Sequence, residues 1–308
     1  LIQAEIVKKK LKTFGKNCEI KMFKTTGDRV QNKPLHEIGG KGLFIKELER
    51  ALLADEADLA VHSLKDLPCK VLGEFKLSCY LKRDYTRDII VLRKEDNFLN
   101  HLDSRKALKE KDISTIKAHK IATGSLRRGA LLKSCNPKIE VLPIRGNIGT
   151  RLGKLKQGYC DALVLSEASL KRMSYDQNSF IYYAFEPDWF IPSAGQGVIA
   201  LETLKEYPFD ISQLNCKKTQ RCTEIERGVL EALGGSCLLP IGVHCTLKEN
   251  SFDVKVVVLS NNGKEKIFHQ ETFSSSEKKS SILEKIKDKL LQKNVNGVLS
   301  SLGISPTS

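Results

Sequence analysis

No stretch of the 308-residue chain is apolar over a membrane-spanning length, so a transmembrane helix is excluded and no membrane partner is expected. No signal peptide is visible, although the chain opens at Leu1 rather than Met, which leaves room for a segment ahead of it. Aromatic residues make up 6% of the chain and do not interleave with basic ones, so a stacking surface for single strands is unsupported and no nucleic-acid partner is expected. The nine cysteines are odd in number and scattered, with no C-x-x-C pair, which argues against a disulfide framework and for a reducing compartment. Cys216, Cys222, Cys237, His244 and Cys245 contain no pair at finger-like spacing, so no metal is expected. Gly39-Gly40-Lys41-Gly42 lacks the Ser or Thr that a phosphate loop needs after its lysine. Glycines ahead of a helix still leave free amides for an anion, with Lys41 as a point charge; a solvated glycine turn reads equally well.

What the chain does have is charge of one sign. Lys and Arg outnumber Asp and Glu by 51 to 37, a formal net charge of +14. Between Lys120 and Arg172 there are eleven basic residues against three acidic ones. A local field of that kind implies an anionic partner: nucleic acid, phosphate or polycarboxylate. Hydrophobic residues make up 41%, enough for about two domains, with three small ones possible.

Taken in order, residues 1–14 read as an amphipathic helix with Ile2, Ile6, Leu11 and Phe14 on its apolar face, followed by a strand at 19–23. Leu43, Leu48 and Leu52 mark a second helix ending near Ala54. Leu59-Ala60-Val61 is a short apolar run, long enough for a buried strand, and His62-Ser63-Leu64-Lys65-Asp66 places polar groups where it would end, with Pro68 as a stop. A Lys–Asp couple there offers an acid/base group beside a fixed positive charge, or simply a surface ion pair. This alternation predicts a largely parallel α/β sheet.

After a strand at 89–92, three segments share one grammar of strand, turn and helix start. They are Lys120-Ile-Ala-Thr-Gly-Ser-Leu-Arg127-Arg128, Val141-Leu-Pro-Ile-Arg145-Gly-Asn-Ile-Gly-Thr-Arg151 and Ala162-Leu-Val-Leu-Ser-Glu-Ala-Ser-Leu-Lys-Arg172. In one sheet such junctions share an edge, so five arginines converge where helix amides also point, a site for oxyanions. Phe190 to Glu202, with Gly195-Gln196-Gly197, reads as a return into the first domain, giving a two-domain, periplasmic-binding-protein-like layout. From about Thr219 the pattern changes to helix, loop, antiparallel strands with a hairpin turn at Asn261-Asn262-Gly263, and a final lysine-rich helix at 281–293. The fold class expected is therefore α/β, with two such domains and a small α+β C-terminal domain. Their limits are 1–90 with 196–217, 91–195, and 218–308. Cys237, between glycines and a proline, is either an inert small residue or a reactive thiol.

Several stretches together resemble the porphobilinogen deaminase family. They are Thr26-Gly-Asp28, Gly39-Gly-Lys-Gly-Leu-Phe44, Val61-His-Ser-Leu-Lys-Asp66, Gly124-Ser-Leu-Arg-Arg128, Arg145-Gly-Asn-Ile-Gly-Thr-Arg151, Gly195-Gln-Gly197 and Gly235-Ser-Cys237 with Pro240-Ile241. The match runs in order along nearly the whole chain.

The resemblance implies a hydroxymethylbilane synthase, a transferase that joins four porphobilinogen units head to tail with release of ammonia, for tetrapyrrole and heme synthesis. It implies a dipyrromethane cofactor held by a thioether to Cys237, and Asp66 as the catalytic carboxylate. Loss of ammonia leaves an electron-poor azafulvene and the coupling passes through cationic pyrroles, which a carboxylate beside the pyrrole N–H groups stabilises. Cofactor and substrate contacts implied are Lys41, Ser63, Lys65, Thr123, Ser125, Arg127, Arg128, Arg145, Gly146, Arg151, Arg172 and Gln196. Pyrroles bearing acetate and propionate give the arginines and the basic middle segment a purpose. Family members also begin with a strand and an Arg-x-x-Ser element, which would lie ahead of Leu1. A cytoplasmic monomer is expected, or a plastid or mitochondrial protein if a transit peptide has been removed. The rival reading is a non-catalytic carboxylate-binding protein of the same architecture, which would need neither Asp66 nor Cys237.

Overall fold

The structure is a computed structural model, and it describes residues 1–23, 45–71, 73–117, 119–173, 175–236 and 238–304. The motif at 26–28, the glycine-rich run at 39–44 with Lys41, and Cys237 lie outside the described residues.

Helix α1 (Ile2–Thr13) forms where a helix was expected, but its buried face is set one residue round. Val7 and Leu11, four apart and one above the other, pack with Cys79, Leu81, Ile199 and Leu201. Ile2 and Phe14 stay 42% and 45% exposed. The strand expected at 19–23 does not form: Cys18, Ile20 and Phe23 are only half-buried, and no described strand pairs with the run. Helix α2 (Lys46–Leu53) follows and buries Ala51 and Leu52.

The first sheet corrects the expectation of a parallel one. Strands β1 (Ala60–Ser63) and β2 (Phe75–Tyr80) both pair antiparallel with β8 (Ile199–Leu204), which lies between them. Because β8 returns from a distant part of the chain and not through a right-handed crossover helix, it runs against both neighbours. A buried hydrogen-bonded contact, His62 Nε2 to Glu202 Oε2 at 2.9 Å, ties β1 to β8.

The second sheet has the order β5-β4-β6-β3-β7. Its strands are β3 (Asp88–Arg93), β4 (Lys120–Ala122), β5 (Glu140–Leu142), β6 (Ala162–Ser166) and β7 (Phe180–Ala184). β4 is parallel to both β5 and β6, as the repeated strand–turn–helix grammar requires. β3 is antiparallel to β6 and β7, so the sheet is mixed. Its entirely buried run Ile89–Leu92 is the apolar signature of a central strand. Helix α3 (Glu110–Ser114) precedes β4, and helices α4 (Leu126–Cys135), α5 (Ile148–Lys156) and α6 (Glu167–Lys171) follow β4, β5 and β6.

The chain passes between the two sheets twice, at 81–87 and at 185–198, and the passages are bonded side by side. Leu81 N donates to Ile199 O at 3.0 Å, and Asp84 N to Gly197 O at 3.1 Å. Gly197 has φ +86, and a Cβ there would stand 2.6 Å from Tyr85 O, so only glycine permits this approach.

The C-terminal part packs helix α7 (Lys217–Ala232), α8 (Lys279–Gln292) and α9 (Val295–Ser301) against a meander of β9 (Ile241–Lys248), β10 (Ser251–Leu259) and β11 (Lys266–Ser274). The loop between β10 and β11 is wider than the tight turn expected, closed by Ser260 N to Glu265 O at 3.0 Å. Gly263, at φ +72, sits against α4, where a Cβ would come within 2.5 Å of Ala130 O.

Candidate active site

β1 ends in a single 3-10 turn, Leu64–Asp66. Leu64 is fully buried against Gly195, and its N–H donates to Val198 O at 3.0 Å, so the turn is fastened to the second passage. With Leu64 inside, Lys65 reaches across to the second sheet. Its Nζ lies 3.3 Å from Ser166 Oγ and 3.4 Å from Gln196 Oε1. Asp66 is exposed, and its charge acts on both Lys65 and Arg151.

Opposite stand the helix starts. In α4, Ser125 is the N-cap, its hydroxyl accepting from Arg128 N at 3.5 Å, while Thr123 Oγ1 accepts from Ser125 N at 3.2 Å. Both hydroxyls keep their own O–H to donate. In α5, Asn147 caps by accepting from Thr150 N at 2.9 Å. Gly146, at φ +105, lets its carbonyl accept from Arg151 Nε at 2.7 Å.

Because β3 runs against β6, the first residue of β3 lies beside the last of β6: Asp88 is registered with Ser166. Asp88 is thereby buried among the groups at this edge. It accepts from Arg127 Nη2 at 2.8 Å, Arg128 Nε at 3.0 Å and Gln196 Nε2 at 2.9 Å. Burial alone would raise its pKa, but the two guanidiniums outweigh that and hold it at about 2. Arg127 also donates to Ile191 O at 2.6 Å, so it is turned inward. Arg128, buried to 7% exposure, also lies 3.4 Å from Gln196 Oε1.

The electrostatics of the open side are those of crowded cations. Burial and then the charge of Arg128 bring Lys65 down to about 8, with Asp66 and Asp88 pulling the other way. Burial and Arg128 lower Arg151 as well, with Arg145 adding to the repulsion and Asp66 opposing it. Lys65, Asp66, Arg128, Arg145 and Arg151 thus share one field, with Gln196 bridging Lys65 to Asp88.

Two further expected contacts are bonded within the protein. Ser63 accepts from Gln3 Nε2 on α1 at 2.6 Å. Arg172 donates Nη2 to Gly197 O at 3.1 Å and lies 3.5 Å from Asp84 Oδ2, on the passage between sheets. Groups that the sequence reading missed are Asp88 and Ser166, and also Glu226. That buried carboxylate grips Arg83 through both oxygens at 2.6 and 3.2 Å and accepts from Gly195 N at 2.7 Å. The signal for Asp88 in the sequence was an acidic residue directly ahead of the apolar run Ile89–Leu92.

The donor set suits a ligand carrying several carboxylates. The hydroxyls of Thr123 and Ser125 stand at a helix start that also carries Arg128, and the repulsion Arg128 shares with Lys65, Arg145 and Arg151 is relieved by an anion. Among the described residues no cluster of His, Cys, Asp and Glu is placed to hold a metal ion, and no helix is long and apolar enough to cross a membrane.

The family model described as "Porphobilinogen deaminase, dipyromethane cofactor binding domain" matches residues 1–208, and the one described as "Porphobilinogen deaminase, C-terminal domain" matches residues 220–292. Curated proteins named porphobilinogen deaminase are similar along most of their length. The one from Helicobacter acinonychis is 37% identical over 87% of this chain and 83% of its own. That from Caldicellulosiruptor saccharolyticus is 39% identical over 85% and 86%, and that from Coxiella burnetii 34% over 98% and 94%. Among solved structures, the Bordetella pertussis BvgS VFT2 domain is 18% identical over 70% of this chain and 76% of that one, with a TM-score of 0.39.

Proposed function

The chain belongs to the porphobilinogen deaminase family, and on that premise we propose that the Lys65–Asp66 turn and the arginine-bearing helix starts opposite it form its catalytic cleft. The reaction is a transfer. Four porphobilinogen molecules are joined head to tail, each with loss of ammonia, to give the linear hydroxymethylbilane of tetrapyrrole synthesis. The family's dipyrromethane, when bound, supplies the pyrrole end on which the chain is built.

In this reading Asp66 is the acid–base carboxylate. Exposed at the end of a short rigid turn, it meets pyrrole N–H groups and stabilises positive charge that develops on the ring during coupling. Lys65, Arg128, Arg145 and Arg151 hold acetate and propionate groups, and Thr123, Ser125 and the amide beside Gly146 add hydrogen bonds. Gln196 and Asp88 keep Arg128 and Lys65 in place. Arg127 acts from behind, through Asp88, and Arg172 and Ser63 act through the passage and α1. Lys41 is assigned to a substrate carboxylate and Cys237 to thioether attachment of the dipyrromethane, both on their motifs.

The observation that carries this reading is that the two sheets bring a carboxylate on one side to a set of mutually repelling cations on the other. We further divide the chain into three units near residues 90, 195 and 218, and place it as a cytoplasmic monomer acting without nucleic acid; the bacterial relatives support the compartment.

Intact-protein mass spectrometry tests the attachment: a mass excess of two linked pyrroles is expected on the wild type and none on Cys237→Ala. For the carboxylate, Asp66→Asn should retain that mass excess and lose turnover by at least about 100-fold. Wild-type turnover in Asp66→Asn would remove Asp66 from the mechanism.

A further inference from the structure

Pro68 ends the turn that carries Asp66, and the carbonyls around it have no helix to bond to. They are collected by a side chain from another part of the fold. Arg227, on α7 and buried to 7% exposure, donates Nη2 to Pro68 O at 2.6 Å and to Cys69 O at 2.9 Å. Its Nη1 lies 3.4 Å from Leu67 O and 3.5 Å from Leu64 O. Those carbonyls bracket Asp66 on both sides. The preceding residue of the same helix, Glu226, holds the second passage through Gly195 N and the first through Arg83. One turn of α7 therefore fixes the Asp66 turn and both passages relative to each other.

We propose that Arg227 is a positioning residue for the reaction: by gathering the carbonyls of Leu64, Leu67, Pro68 and Cys69 it sets the direction of Asp66 toward the arginines opposite. This rests on the reading of Asp66 as the acid–base group. Arg227 touches no substrate, and its effect passes through the backbone of the turn.

The surroundings of Arg227 supply an unusual test. It lines a cavity of about 250 Å³, together with Cys69, Tyr80 and Glu224, and exposed Glu231 and Lys279 stand at its rim. Truncation of the side chain opens into this space, so free guanidinium in solution has a route to the vacated carbonyls.

Holoenzyme carrying Arg227→Ala is expected to lose kcat by about 100-fold, since a misplacement of about 1 Å costs that much, with KM moved by less than about threefold. Guanidinium chloride at concentrations below those that unfold the protein should restore kcat by at least about tenfold, while methylammonium chloride at equal ionic strength should not. Arg227→Lys, which keeps the charge but not the fork, should fall about tenfold in kcat, and carries the test if the alanine variant does not fold. In an Asp66→Asn background, Arg227→Lys should add less than about twofold, because the residue it positions is already gone.

Full kcat in Arg227→Lys, or the same proportional loss with and without Asp66, overturns the proposal. So does a kcat of Arg227→Ala that guanidinium leaves unchanged. Failure of the Asp66 reading shows separately, as wild-type turnover in Asp66→Asn alone.

Discussion

Replacing Asp88 with asparagine exchanges one carboxylate oxygen for an amide NH2 and removes the negative charge between two buried guanidiniums. The carboxylate accepts from Arg127, Arg128 and Gln196 at 2.8 to 3.0 Å and is itself fully buried. Its pKa of about 2 against an ordinary 3.8 corresponds to about 2.5 kcal/mol in favour of the charged form. Breaking a buried pair by deleting one partner costs about 3–5 kcal/mol, because the remaining charge is left without compensation. Together these bracket the loss at about 2.5–5 kcal/mol, or about 5–20 °C in Tm at about 2–4 °C per kcal/mol. The sign fixes a pH signature. A carboxyl whose pKa is depressed on folding contributes stability that is present above its unfolded value, near 3.8, and is lost as pH falls toward 2. Urea unfolding of wild type and Asp88→Asn should therefore differ fully at pH 6–7, by about half as much at pH 3, and hardly at pH 2. A difference below about 1 kcal/mol at pH 7, or one that does not shrink on acidification, would refute the view that Asp88 neutralises Arg127 and Arg128.

Lys65 gives the opposite pH behaviour. Burial and Arg128 lower it from 10.5 to about 8, so its charge costs stability below about pH 8 and that cost is relieved as pH rises toward 10.5. Function runs the other way: kcat/KM for porphobilinogen should fall as the free enzyme loses this charge above about pH 8, and Lys65→Arg, which does not titrate there, should lack that limb. Identical profiles from pH 6 to 9.5 would exclude Lys65 from carboxylate binding. Gly197→Ala places a Cβ 2.6 Å from Tyr85 O and 3.0 Å from Asp84 O at a φ of +86, so about 2–4 kcal/mol should be lost, read as a lower urea midpoint. An unchanged midpoint would mean that the two passages are not held at this spacing.

What was legible in the sequence was local. Each strand–turn–helix unit after Lys120 announces itself over about a dozen residues, and parallel neighbours β5, β4 and β6 bring their helix starts to one edge without further information. The turn at Leu64–Asp66 was equally readable, because an apolar run meets Pro68. Asp88 was not, since its place depends on β3 running against β6, a pairing between segments far apart in the chain. The same holds for Arg227, whose partners are carbonyls about 160 positions earlier. Arg172 shows the limit from the other side: its spacing matched the other arginines, but α6 is short and leaves its guanidinium at the passage beside Asp84. The strand expected at 19–23 has the right composition, and a ladder needs a partner that composition does not specify.

The insertion of β8 between β1 and β2 also bears on how the molecule is made. During synthesis β1 and β2 emerge before β8, which among the described residues is the strand that joins them and comes about 140 residues after His62. Until then each presents bare N–H and C=O groups along an edge that invites association with other chains. A ribosome working at about 5–20 residues per second leaves that edge open for roughly ten seconds or more, a long interval for a nascent apolar strand. The second sheet, with its buried central strands β3 and β6, has the shorter-range pairings β4 with β5 and β6. Its early consolidation would deliver β8 to the waiting slot, so the sheet of β1, β2 and β8, although β1 and β2 are translated before it, closes after the second sheet.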